Sequence, residues 1–441
     1  MSVKRKGPSL RFTFQEEQKM HVKHIEVENY RGIEKLELDF QEGINLLIGN
    51  NGAGKTTLLN AIGILASQAI QWITGISRME IGNDAYMTTE VVGDAVVQNT
   101  YHYPIRIQGT INYLGKDYIC SQEKKSEEGG NETNHFELAQ EFTNLLTNTN
   151  VKYPLLCFIQ AGREHAVRPS GNTVTIAGNE SQRTDGYREA FGEKLNLQEI
   201  QKWCLQMDFG EYQRKHPIVE YTTFKKIVQQ FFERIDPQMQ GNQVYYSSVR
   251  GSLVRFDGES EKSVYQLSDG YQALFCLIVE LAYRTVVLNP SDEDAAMNAT
   301  GIVMIDEIEM HLHPAWQWTI LKALKETFPH VQFFISTHSP VVLSSAEDAT
   351  IYLMKTPTAV EEVENAYGYE INDILTYLQG SKYQPERVTS YIAEADRLFT
   401  NGSEEDLNQL MDRAEKEFRE SPQVLKYLRD YIEVNRWVEE E

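Results

Sequence analysis

The clearest chemistry in this chain lies in one run, Gly49-Asn50-Asn51-Gly52-Ala53-Gly54-Lys55-Thr56-Thr57. It fits the pattern glycine, four residues, glycine, lysine, then serine or threonine, which wraps main-chain amides around a phosphate. Glycine leaves room for the anion, and the positive end of the following helix attracts it. Lys55 is placed to reach the β- and γ-phosphates of a nucleotide, and Thr56 to ligate Mg²⁺. The flanks agree with this reading. Ile44 to Ile48 is an apolar strand, and Leu58, Leu59, Ile62, Leu65 and Ala66 recur at helical spacing between Thr57 and Ile70.

Three further motifs add to the loop. Gly301-Ile302-Val303-Met304-Ile305-Asp306-Glu307 is a buried strand that ends in two acids. Asp306 suits the Mg²⁺ shell, and Glu307, one residue on, suits activation of an attacking water. Val331 to Ser336 is another buried strand, leading to Thr337-His338-Ser339-Pro340. His338 is a candidate γ-phosphate sensor, and a packed histidine with one main-chain bond is the plainer alternative. Leu267-Ser268-Asp269-Gly270-Tyr271-Gln272 precedes an apolar helix, Ala273 to Val287, so Ser268 and Gly270 form a second anion-binding helix start.

In this order the four motifs resemble the ATP-binding-cassette ATPases, in the soluble branch that includes the SMC-like chromosome and repair ATPases. The resemblance makes Leu267–Gln272 the signature motif and His338 the switch histidine. It implies an α/β head: a phosphate-loop sheet core, an antiparallel β part and a helical lobe carrying the signature. It also implies that the signature of one subunit closes on ATP held by the phosphate loop of another, in a head-to-head dimer. Asp269 departs from the glycine of the transporter signature. Gln160, after the apolar strand Pro154 to Ile159, takes the place of the family's Mg²⁺-contacting glutamine; a polar cap on a strand end is the alternative.

Softer phrases are similar to the PtuA-type defence ATPases of Septu systems and some retrons. They are Tyr30-Arg31-Gly32-Ile33, Pro154 to Ile159 with Arg163, Asp185-Gly186-Tyr187-Arg188, and Ile305-Asp306-Glu307-Ile308-Glu309-Met310-His311-Leu312-His313-Pro314. This likeness covers residues 22–380. It implies a separate HNH-type nuclease partner, with DNA or RNA engaged through the complex.

Composition bounds the rest. A chain of 441 residues with 41% hydrophobic and 24% charged content is ordinary for a soluble globular protein of two or three domains. No uninterrupted apolar run reaches membrane length, since Glu280 breaks the most apolar helix, and no secretory leader opens the sequence. Cys120, Cys157, Cys204 and Cys276 lack metal spacing and fit a reducing cytoplasm. The net charge of −22 argues against a protein that coats nucleic acid, although Lys4, Arg5, Lys6 and Arg11 could touch a phosphate backbone.

The reading divides the chain into a flexible extension (1–21), the head (22–368, with the helical lobe at about 185–290) and a helical tail (369–441). Residues 80–150 show strand-like runs and few helical signals, with an exposed loop over 121–134. Residues 162–182, including Arg163 and Arg168, look mobile. Apolar stripes mark helices over 197–235, their aromatics reading as core, and a helix spans 315–327 after Pro314. There is no long heptad run. In the tail, stripes from Val388, Leu407 and Leu425 mark three helices, with Ser403 as an N-cap. The tail either packs on the head or docks a subunit or nuclease, with Trp437 as an anchor. His311 and His313 with Glu309 lack a third spaced ligand and read as ordering a loop at the dimer seam. No second active site is visible, so cutting of nucleic acid is assigned to another chain. The reading is an ATP-operated switch in antiphage defence. Its rivals are a DNA-end repair ATPase, a transporter ATPase and a scaffold that holds ATP without turnover.

Overall fold

The computed structural model describes residues 19–92, 96–134, 136–146, 151–162, 182–192, 197–363, 366–378, 380, 386–401, 403–419 and 421–439. Lys4, Arg5, Lys6, Arg11, Arg163 and Arg168 lie outside these residues, as does the Trp437 side chain. The chain divides into two units, Met1–Ile371 and Asn372–Glu441.

The first unit is built on a six-stranded sheet. Its strands are β3 (Ile44–Ile48), β9 (Leu155–Ile159), β13 (Thr300–Ile305), β14 (His330–Ser336), β15 (Ala349–Thr356) and β16 (Ala359–Val363), in the order β16-β15-β3-β14-β13-β9. All neighbours are parallel except β15 and β16. Every residue of β3, β9 and β13 is buried, which is why these strands read as continuous apolar runs.

A second sheet is antiparallel, in the order β2-β1-β6-β7-β8. Its strands are β1 (Met20–Tyr30), β2 (Ile33–Asp39), β6 (Ile105–Tyr113), β7 (Lys116–Lys124) and β8 (Asn131–Asn134). Strand β6 alternates buried and half-buried residues along its whole length, as a one-sided sheet requires. The helix after the phosphate loop, α1 (Lys55–Ser67), contacts β1, β6 and β7 of this sheet and β9, β13 and β14 of the other. Ten of its 13 residues are buried, so the helix that presents Lys55 and Thr56 is gripped from both sides. A hairpin of β4 (Tyr86–Val92) and β5 (Val96–His102) stands apart from both sheets.

The helical lobe holds α3 (Leu197–Arg214), α4 (Val219–Ile235) and a small sheet of β10 (Gln243–Ser247), β11 (Ser252–Phe256) and β12 (Glu261–Ser263), ending in α5 (Asp269–Leu288). Trp203 packs edge-on against Tyr221, Phe224 and Tyr283. Phe224, Ile227, Val228, Phe231 and Phe232 are buried, so the aromatic stripe is core. By length and composition alone α5 could cross a membrane, but the fold itself buries it. Glu280, the charge that interrupts it, pairs with buried Arg284 at 2.8 Å, and Arg284 also donates to the carbonyls of Gly186, Arg188 and Glu189. All four cysteines are free and buried.

Several expected boundaries shift. The first strand begins at Met20, so residues 20 and 21 are sheet rather than extension. Helix α1 starts at Lys55 and ends in a tighter turn over Gln68–Ile70. The loop expected over 121–134 is mostly strand: Ser121 to Lys124 pairs with Asn131 to Asn134, leaving only the turn between them. A short helix, α2 (Phe136–Leu145), lies in the stretch where few helical signals are read and buries Leu138, Ala139 and Phe142. The helix expected over 315–327 is broken into Pro314–Gln317 and α6 (Ile320–Thr327). At the break, Thr319 donates its hydroxyl to Ile235 O at 2.9 Å, tying it to the end of α4.

The second unit contains α7 (Glu386–Asn401), α8 (Glu404–Glu417) and α9 (Pro422–Glu439). Ala395, Leu407, Leu410 and Ile432 form one buried cluster, and Val388, Ala414 and Leu428 another. Ser403 caps α8: its hydroxyl accepts from Asp406 N while the Asp406 carboxylate accepts from Ser403 N.

Candidate nucleotide-binding site

The sheet order gathers the motifs. The phosphate loop follows β3, His338 follows β14, Asp306 and Glu307 follow β13, and Gln160 follows β9. These four strands are parallel and adjacent, so all these residues emerge at one carboxyl edge. Open α/β sheets take ligands there. The register is explicit. Ile305 stands opposite both Ile335 and Ile159, and Asp306 N donates to Ile159 O at 2.9 Å, which sets Gln160 beside Asp306.

The phosphate loop is shaped by its scaffold as well as by its ligand chemistry. Gly49 has φ 147°, and a Cβ there would lie 2.2 Å from Met354 O on β15. No other residue fits. Asn50, Asn51 and Gly52 are exposed, Ala53 is buried, and Gly54 leads into α1 with φ 96°. The buried Lys55 Nζ donates to Gly49 O at 2.9 Å and Asn50 O at 3.2 Å. Burial pushes its ammonium below the usual lysine value, and the charges of Asp306, Glu307 and Glu309 oppose that. A buried cation held only by neutral carbonyls favours an anion.

Asp306 is the complementary half. It is buried, yet among the described residues it has no ion-pair partner and accepts only from hydroxyls. Thr56 Oγ1 donates to it at 3.0 Å and 3.2 Å, and Ser336 Oγ at 2.5 Å. A buried carboxylate without a counter-ion is costly, and with Thr56 it makes an oxygen-only donor set. These residues fit Mg²⁺.

Glu307 and the histidine loop are laced together. Ser336 Oγ also accepts from Glu307 N at 2.8 Å, and Ile308 N donates to Ser336 O. Glu309 Oε1 accepts from His338 N at 2.5 Å. Glu307 has φ 49° and His311 φ 62°, left-handed conformations that cost a non-glycine residue on the order of 1–3 kcal/mol and cluster at functional sites. His338 is half-buried. Burial pushes its imidazole below the usual histidine range, and Lys55 pushes in the same direction against Glu309 and Asp306. No sequence signal marks Ser336 for the site, and Glu309 is marked only beside His311 and His313, not as a partner of His338.

The signature residues sit at the start of α5. Ser268 is its N-cap, and its exposed side chain makes no capping bond. A Cβ on Gly270 would lie 2.6 Å from His311 O, so glycine is required where the signature meets the acid turn of its own chain. Tyr271 packs edge-on against Trp316 at 4.6 Å, and the Arg255 guanidinium lies over its ring. His313 Nδ1 accepts from Ala315 N and caps the helical turn that Pro314 begins. Among the described residues Glu309, His311 and His313 do not gather their ligand atoms; the group that does is His24, Glu26 and Glu37.

Residues 21–361 match the RecF/RecN/SMC N terminal domain family. The chain belongs to this family. Among members of the defence group that the softer phrases pointed to, it is 25% identical over 442 residues to the Retron Vc95 probable ATPase of Vibrio cholerae, covering 88% of this chain and 85% of that protein. It is 24% identical over 382 residues to the Septu protein PtuA of Bacillus thuringiensis, covering 81% and 84%. A crystal structure of an SMC head bound to the C-winged helix domain of ScpA superposes with a TM-score of 0.48 at 14% identity, over 78% of this chain and 98% of that one. A sheet carrying the phosphate loop, an antiparallel sheet and a helical lobe are combined in one unit of this chain.

Proposed function

We propose that this chain is the ATP-binding and ATP-hydrolysing switch subunit of a bacterial antiphage defence complex. Two copies close head-to-head around ATP and control a partner nuclease of the HNH type. The observation that carries the nucleotide part is the convergence of Lys55, the Thr56–Asp306 pair, Glu307 and His338 at one sheet edge. The defence part is supported by likeness to retron and Septu proteins over more than four-fifths of the chain.

Lys55 and the loop amides of residues 49–57 bind the phosphates. Thr56 and Asp306 would hold Mg²⁺, which when bound would offset negative charge on the phosphates. Glu307 orients the attacking water and takes its proton. His338, neutral near pH 7 by its lowered pKa, faces the γ-phosphate, and Gln160 lines the Mg²⁺ side. The exposed Ser268 and the half-buried Gly270 of the second copy complete the pocket with a helix start. Only the γ-phosphate bridges the two copies, so ATP and ADP differ in how well they hold the closed form.

Cells carrying this gene with its neighbouring reading frames should resist phage, and Lys55→Ala should abolish resistance without lowering the amount of protein. A neighbouring permease in place of a nuclease, or full protection by Lys55→Ala, contradicts the proposal.

The RecF/RecN side of the family favours a second reading, a DNA-end repair ATPase. It requires DNA binding by the isolated protein with a steep salt dependence, which the net charge of −22 disfavours.

A further inference from the structure

The acid turn after β13 and the end of β14 with its histidine loop are joined by four hydrogen bonds among the described residues. Three use Ser336: its hydroxyl accepts from Glu307 N and donates to Asp306 Oδ1, and its carbonyl accepts from Ile308 N. The fourth runs from His338 N to Glu309 Oε1 and, like the bond from Ser336 Oγ to Asp306, has a carboxylate acceptor. Charge-assisted bonds are shorter and about twice as strong as neutral ones. The second carboxylate oxygen, Oε2, is buried and has no hydrogen-bond partner among the described residues. Leaving a buried acceptor unmet costs about 1–3 kcal/mol. Packing alone does not account for a glutamate here, because a leucine would fill the space without that cost.

We propose that Glu309 is a positioning residue: its carboxylate holds the main chain of His338 and so fixes the distance between the Glu307 turn and the histidine. Glu307 is left-handed at φ 49°, which leaves its turn with a conformational preference to drift. Ser336 secures the near side of that turn, and Glu309 secures the far side. Glu309 is also one of three acids whose charge acts on Lys55. This inference rests on the ATPase reading above for its kinetic consequence, but the tie itself does not.

The test compares Glu309→Ala with Glu309→Gln in the full chain. Gln keeps an acceptor for His338 N and loses the charge, whereas Ala loses both. Turnover at saturating ATP should fall on the order of 10- to 100-fold in the Ala variant, as for a reacting group misplaced by about an ångström. KM and the affinity for a fluorescent ATP analogue should stay within about twofold, and Gln should recover most of the rate. The His338 amide resonance, followed with isotope-labelled histidine in the nucleotide-free protein, should move upfield in Ala and only slightly in Gln. If the wild type does not hydrolyse ATP, the functional reading fails, and the amide resonance alone judges the tie. An unmoved resonance in Ala overturns the proposal. So does normal turnover by a folded Ala variant, and so does a Gln variant as slow as Ala, which would make Glu309 itself a catalytic charge.

Discussion

The Thr56 hydroxyl donates to the carboxylate of Asp306, 250 residues further along the chain, at 3.0 Å. That one bond joins the start of α1 to the end of β13 across the intervening strand β14. It also leaves a buried carboxylate satisfied by hydroxyls alone, a half-built cation site. The fold therefore carries a cost that a bound cation would remove.

Asp306→Asn should separate that cost from its use. In metal-free buffer the variant should melt at the wild-type temperature or slightly higher, about 1 kcal/mol being worth roughly 1–2 °C in a unit this large. With Mg²⁺ and ATP the wild type should gain stability and the variant should not, and hydrolysis should fall at least about 100-fold. Thermal melts with and without ligand check both signs.

Glu307 is assigned the water, so Glu307→Gln should retain ATP while lowering phosphate release by roughly 10²- to 10⁴-fold. Because Glu307 is left-handed, Glu307→Gly should lose the same activity and gain about 1 kcal/mol in urea unfolding. A Gln variant that hydrolyses at the wild-type rate removes Glu307 from its role.

The strands, the phosphate loop and the two acids were legible because each is a short contiguous signal. Ile44–Ile48 and Thr300–Ile305 are apolar throughout since both faces are covered, and Lys55 and Asp306 sit at fixed offsets from them. Ser336 and Glu309 were not legible as partners. Their bonds depend on the β13–β14 register, which no local pattern encodes. The break at Trp318–Thr319 was hidden for the same reason: Thr319 leaves the helix for a carbonyl on α4, a tertiary contact overriding a good helical period. Strand β8 has polar residues only, Asn131 to Asn134, so its sequence signals a loop and only pairing with β7 makes it a strand. Helix α2 is short, with three buried residues in ten, too weak a period to stand out.

Gly270→Ala places a methyl group against His311 O, a main-chain atom. It should destabilise the fold by about 1–3 kcal/mol and displace the signature start. Urea denaturation measures the first effect. Wild-type stability would show that the acid turn yields freely.

The pH dependence of stability has a defined sign. Burial lowers the pKa of His21 and of His330; Lys19 adds to the shift and Glu42 opposes it at both, while Lys23 lowers and Asp117 raises it at His21. Below the ordinary value of about 6.5 the unfolded chain takes up protons that the folded chain refuses. Stability from these groups is therefore full above that pH and is lost as pH falls from there toward the folded values. Glutamine at His21 or His330 should shrink the drop in urea midpoint between about pH 7.5 and about pH 5.5. An unchanged drop means these rings do not set it.

Mixing two inactive variants tests the central claim most directly. Lys55→Ala disables a phosphate loop, and Ser268→Arg blocks a signature. If each pocket is built from the loop of one copy and the signature of another, a mixed dimer has one pocket with both halves intact. Refolding the two variants together, or exchanging their subunits, should restore about a quarter of wild-type ATP hydrolysis by random pairing. A mixture no more active than the two variants measured apart, with exchange verified by tagged copies, would contradict a pocket shared between subunits.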